Sequence, residues 1–326
     1  MVNSIKQIPK AEIHVHLEAT ISPNLCRKFA KRNNVDLSED LFAGQYSYAW
    51  NDFYDFLKKY DIITSVIHTP EDYRELTYNY LKECSAENVI YVEAMISSTH
   101  AKQKGMTYQS FLEGVIEGAK QAENEFGIVS KYIMNGIRHL GPESVHSTAE
   151  EVLDNPYYDL VGFGLAGDEL HFPPKLFIKT FDMLKQEKFP ITVHAGEWDG
   201  PERIRDAISL LHPTRLGHGV RSIEDPELIN YIKELDIVLE TCPTSNVATK
   251  IYKDYQEHPV KSLFNQGVKI TVNSDDPPFF NASIAGEYEV MSSLGLSNDE
   301  LKSLTSNAIE YSFCDQDTKL KLLKKI

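Results

Sequence analysis

Cysteine is scarce in this 326-residue chain: Cys26, Cys84, Cys242 and Cys314 stand far apart, and none belongs to a CxxC pair. That spacing excludes a disulfide framework and a cysteine-built metal knot, and the thiols read as those of a reduced, cytoplasmic protein. Long apolar runs are missing as well, since none approaches the ~18 residues of a membrane span. The opening Met-Val-Asn-Ser-Ile-Lys-Gln-Ile-Pro-Lys has no apolar core of signal-peptide length. Positive charge is in deficit, 33 Lys+Arg against 48 Asp+Glu for a formal −15, so polymeric nucleic acid would be repelled. No Gly/Ser-rich or charge-block segment divides the chain and no repeat of fixed period occurs, so one domain over 1–326 is expected. A chain of this length buries roughly three quarters of its unfolded surface, which leaves any metal to serve chemistry rather than cohesion.

What is present is alternation. Short β-rich runs occur at 12–16, 89–96, 130–137, 160–165, 191–194, 215–217, 238–241 and 269–273. Helical periodicity follows most of them, at 23–33, 108–125, 174–187, 201–211, 225–234 and 297–309, several opened by Pro or an Asp/Ser cap. The stretch 37–88 has its own helical pattern and the aromatics Tyr46, Tyr48, Trp50, Phe53, Tyr54 and Phe56, which fits an inserted lid better than a linker. Eight βα units suggest a (β/α)₈ TIM barrel, although an open doubly wound sheet uses the same alternation.

The placement of polar residues favours the barrel. His14 and His16 end the first run, His194 the fifth, His218 follows the sixth, and Asp275 and Asp276 follow the eighth. Taken singly, each has an ordinary structural explanation as a core histidine, a cap or a turn. Their shared position at strand ends has no packing reason, and a barrel brings all those ends to one mouth. Alternate residues on a strand point the same way, so both imidazoles of His14-Val-His16 can face one ion. Histidine with carboxylate suits Zn²⁺ better than Ca²⁺ or Mg²⁺, and zinc chemistry points to hydrolysis. Glu197, three residues past His194, can carry protons; His218 can orient or deprotonate a water; Asp276 can bind substrate. No lysine stands at the end of the fourth run, Gly164-Leu-Ala-Gly167-Asp168-Glu169, which favours one metal over a bridged pair. Among the other histidines, His139 and His171 are candidates for the rim of the mouth, and the rest read as structural.

Six motifs in chain order, His14-Val-His16-Leu-Glu18, Leu165-Ala-Gly167-Asp168-Glu169, His194-Ala-Gly-Glu197, Gly217-His218-Gly219, Cys242-Pro-Thr-Ser-Asn246 and Asn273-Ser-Asp275-Asp276-Pro277, resemble the adenosine deaminase family of the amidohydrolase superfamily. The resemblance implies a (β/α)₈ barrel with one zinc ion held by His14, His16, His194 and Asp275. It implies that Glu197 protonates the purine ring nitrogen next to the attacked carbon and that His218 acts as base and electrostatic stabiliser. Asp276 would hold the imidazole edge of the purine, and the Gly167 N–H would bind the pyrimidine-side ring nitrogen. The substrate expected from it is a small purine nucleoside, adenosine or 2′-deoxyadenosine, deaminated to the inosine product.

One position departs from that pattern. Many adenosine deaminases carry Asp where this chain has Glu18, a carboxylate that contacts the sugar. The longer Glu is similar to adenine deaminases, which makes free adenine or a modified adenosine the alternative substrate. A zinc hydrolase of a non-purine substrate and a non-catalytic binding module are the readings from other classes; the second would be expected to have lost a ligand or Glu197.

Overall fold

A computed structural model describes residues 2–326. Eight parallel strands lie side by side in chain order: β1 (Lys10–His16), β2 (Val89–Ile96), β3 (Val129–Ile137), β4 (Leu160–Ala166), β5 (Ile191–Ala195), β6 (Arg215–His218), β7 (Val238–Thr241) and β8 (Ile270–Val272). Their Val/Ile-rich segments are buried almost throughout, as strands covered by helices outside and side chains inside must be. The sheet closes through residues just past β8. Val15 pairs with Asp275, the His16 N–H donates to the Asp275 carbonyl at 3.0 Å, and the Asp275 N–H donates to the His14 carbonyl at 3.3 Å. The architecture is therefore the (β/α)₈ barrel, and the open-sheet alternative, which would hold β1 and β8 apart, is set aside.

Helices start where short polar side chains can accept a free N–H. Ser22, Thr69, Thr107, Asp225 and Ser297 each cap the helix that follows. The expected helix at 174–187 is broken at Phe177, whose backbone is not helical, into a short 3₁₀ turn Pro174–Leu176 and a helix Ile178–Gln186. The helix Pro142–Asp154 was not expected, because its Ser, His and Thr residues blur the periodic signal.

The 37–88 stretch has two parts. The helix Pro70–Ala86 lies in the outer ring against Tyr108–Phe126, where a Cβ at Gly114 or Gly118 would strike the Pro70 or Arg74 carbonyl. The helix Phe53–Thr64 instead covers the C-terminal mouth of the barrel and turns Phe53, Phe56, Leu57 and Tyr60 into the cavity there. Tyr46 and Tyr54 remain exposed, while Tyr48 is buried with its hydroxyl on the Ile21 carbonyl. Among the described residues no helix is long and apolar enough to cross a membrane.

Candidate active site

The cavity under the lid helix is lined by His16, Gly167, His194, Glu197, His218, Asp275 and Asp276 among others. These residues come from β1, β4, β5, β6 and the turn after β8, brought together by the circular order of the strands. His218 and Asp275 have φ of +61° and +62°, a left-handed backbone that non-glycine residues adopt at a cost. In return each side chain is aimed inward from the end of its strand.

The arrangement of nitrogen and oxygen atoms fits a divalent cation. Asp275 Oδ1 lies 3.6 Å from His14 Nε2 and 3.5 Å from His16 Nε2. The His194 ring centroid is 4.5 Å from that of His14 and 5.3 Å from that of His16. Donor atoms of His14, His194, His218 and Asp275 fall within 4.8 Å of one another, as do those of His16, Asp275 and Asp276. Both sets contain Asp275, so they describe one centre. His14 Nε2 and His194 Nδ1 are buried and unpartnered, although a buried polar atom ordinarily finds a partner.

Supporting residues fix which atom each ligand candidate presents. His14 Nδ1 donates to Glu240 Oε2 at 2.7 Å, which leaves the Nε2 lone pair facing the centre. Glu240 is held in turn by the Arg215 guanidinium at 2.6 Å and the Thr192 hydroxyl at 3.0 Å, and Arg215 also pairs with Glu93 at 2.6 Å. Ser245 donates to Asp275 Oδ2 at 2.7 Å, and the Asn246 amide faces His218 Nδ1 at 3.3 Å. Sequence reasoning noticed the Cys242-Pro-Thr-Ser-Asn246 motif without finding this use for it. Burial lowers the His14 pKa, but the Asp275 and Glu240 carboxylates outweigh it and raise the pKa to about 10.

Glu197 and Asp276 differ from the ligand candidates. Burial, reinforced by the Asp275 and Glu169 carboxylates, raises the Glu197 pKa well above the carboxylate range. Glu197 Oε2 lies 3.6 Å from His218 Nε2. Burial lowers the His218 pKa, which keeps its imidazole neutral. Asp276 Oδ1 is buried without a partner at the cavity wall.

The comparisons with known proteins agree with this geometry. The family described as Adenosine deaminase matches residues 9–326. The chain belongs to the adenosine deaminase family. It is 39% identical over 320 residues to an adenine deaminase of Rhizobium leguminosarum bv. trifolii, covering 98% of this chain and 99% of that one. The crystal structure of an adenine deaminase from Arthrobacter aurescens matches with a TM-score of 0.91 at 28% identity, over 97% of both chains. An amidohydrolase from Burkholderia ambifaria, crystallised with bound Zn, matches at 0.89 and 25% identity, over 98% of this chain and 90% of that one. Like other members of the adenosine deaminase family, the chain is a hydrolase of C–N bonds in cyclic amidines.

Several expected residues sit elsewhere than the sequence suggested. Glu18, expected to contact substrate, is 1% exposed and does not line the cavity. The 3₁₀ turn Leu17–Thr20 directs it to the Ser97 N–H at 2.9 Å and the Tyr73 hydroxyl at 3.4 Å. His139 lines the cavity, whereas His171 is mostly exposed and bonds Asp168. His100, read from sequence as structural, also lines it; it lies in the short helix Ser98–Gln103, outside every motif.

Proposed function

We propose that this enzyme hydrolyses free adenine to hypoxanthine and ammonia, rather than acting on the nucleosides first expected. The observation that carries this reading is Glu18. Its carboxylate is spent on Ser97 and Tyr73 behind the cavity wall, which leaves no acid at that place for a sugar hydroxyl. The names of the relatives support the same substrate.

In this reading His14, His16, His194 and Asp275 hold one zinc ion, a choice supported by the His/Asp donor set and by the zinc-bound amidohydrolase. Such an ion supplies a hydroxide-like nucleophile near neutral pH. Glu197, protonated through burial, gives its proton to the ring nitrogen beside C6 and makes that carbon electrophilic. His218, neutral and oriented by Asn246, takes a proton from the attacking water. Asp276 holds the imidazole edge of the purine, and the N–H of Gly167, at φ +101°, meets the pyrimidine-side nitrogen. Water adds at C6 and ammonia leaves, with the lid helix excluding bulk solvent.

Ammonia release from adenine, adenosine, 2′-deoxyadenosine and AMP offered in parallel tests the assignment, with Glu197→Gln as control. Adenine is expected to lead by at least a hundredfold in kcat/KM. A lead for adenosine or 2′-deoxyadenosine would return the enzyme to the nucleoside branch.

A further inference from the structure

Glu197 borders two cavities: the one under the lid helix, and a second lined by Trp198, Arg221, Glu224, Ile251 and Tyr252. Trp198 stands beside Glu197 on the second side, and Phe53, the first residue of the lid helix, lines the first. The two rings pack on each other with centroids 4.3 Å apart and planes tilted by 36°. Aromatic pairs at this separation attract beyond their buried area.

The backbone of Trp198 is held from both ends. Its N–H donates to Glu169 Oε2 at 3.0 Å, and its carbonyl accepts from Arg221 Nη1 at 2.8 Å. The indole nitrogen is buried and makes no hydrogen bond. A buried donor with no acceptor is costly, and the Glu197 carboxyl borders the same cavity as the Trp198 side chain.

We propose that Trp198 is a positioning residue that couples the lid to Glu197: its ring is the seat on which Phe53 rests, and its indole N–H takes up and orients the Glu197 carboxyl when substrate fills the cavity beneath the lid. Nothing in the motifs required a tryptophan here; its position between the lid and the proton carrier assigns the role. The inference rests on Glu197 being that carrier.

Trp198→Phe keeps a ring for Phe53 and removes the N–H; Phe53→Ala removes the stack and keeps the N–H. With adenine as substrate, Trp198→Phe is expected to lower kcat about tenfold with KM within twofold. Phe53→Ala is expected to raise KM severalfold and, because the indole loses the ring packed on it, to lower kcat toward that of Trp198→Phe. Phe53→Ala and Trp198→Ala combined should raise KM no further than Trp198→Ala alone, the non-additivity of residues acting as one unit. A Trp198→Phe enzyme matching the parent in kcat, or additive KM effects, would overturn the coupling.

A spectroscopic measurement covers the case of a variant that folds poorly. The chain has two tryptophans, so Trp50→Phe leaves Trp198 as the sole indole. Its emission should shift when hypoxanthine saturates the site, and Phe53→Ala in that background should abolish the shift. Emission indifferent to hypoxanthine counts against the proposal. If Glu197→Gln is inactive while Trp198→Phe is normal, only the role of Trp198 fails; if Glu197→Gln keeps the parent's kcat, the proton-carrier reading fails with it.

Discussion

The Glu169 carboxylate accepts the backbone N–H of Glu197 at 3.1 Å, so one acid positions another through the main chain. The same carboxylate gathers the N–H groups of Gly196 at 2.5 Å and Trp198 at 3.0 Å, so successive donors of the turn after β5 converge on one anion. Gly196 makes the convergence possible: its φ is +79°, and a Cβ there would run into Ile204. Arg138 braces the turn from β5 itself, donating to the His194 carbonyl at 2.6 Å.

Glu169→Gln is expected to lower kcat about tenfold while metal content is unchanged, because a neutral acceptor holds the turn with roughly half the strength of a charged one. Single-turnover rates beside metal analysis check this. Lost metal would mean that Glu169 supports the centre as a whole rather than Glu197.

The same variant should move the pH profile. In the proposed mechanism Glu197 acts in its protonated form, so activity is expected to fall on the alkaline side as it ionises. The Glu169 charge is one of the causes that raise its pKa, after burial and Asp275. Removing that charge favours the ionised form, and the alkaline limb of kcat/KM should shift toward lower pH. A shift toward higher pH would contradict the assignment.

Glu240→Gln removes the charged partner of His14 without touching the centre directly. Metal affinity should fall by about 10–100-fold, as for other carboxylates that orient a ligating histidine. Competition with a graded series of chelators reads the loss, and excess zinc should restore most of the turnover. Asp275→Ala should lower occupancy further, and zinc should not restore its activity.

Glu287 offers a test of stability. It is fully buried, accepts the Thr244 N–H at 3.1 Å through one oxygen, and leaves the other unpartnered. Burial is the main cause that raises its pKa to about 8 from 4.5. The folded state therefore prefers the protonated acid: its contribution is intact below the ordinary carboxylate value and is lost as pH rises toward 8. Glu287→Gln should be more stable than the parent at pH 9 by on the order of a few kcal/mol, with little advantage at pH 5. Thermal unfolding at the two pH values measures it.

The residues at strand ends were legible in the sequence because strand alternation and barrel closure are rules about position, which spacing reveals. His14, His16, His194, His218, Asp275 and Asp276 meet at one mouth for that reason. The residues that orient them were not legible, because they act through a neighbour that only the fold supplies. Glu240 did leave a trace: an acid inside the apolar run Val238-Leu239-Glu240-Thr241 must be paired or pay for its burial. Asn246 and Ser245 left none beyond their motif. The place of Glu18 in the chain, two residues from His16, says nothing of the 3₁₀ turn that swings it toward Ser97.

The closure of the barrel between β1 and the turn after β8 has a consequence for how the protein is made. Ile13 and Asn273, joined at that seam by a 2.9 Å hydrogen bond, are 260 residues apart in sequence. His14 and His16 leave the ribosome well before Asp275, so no nascent fragment that stops short of Asp275 can possess the complete centre. A chain terminated before that turn is released without it, however well its earlier strands have folded.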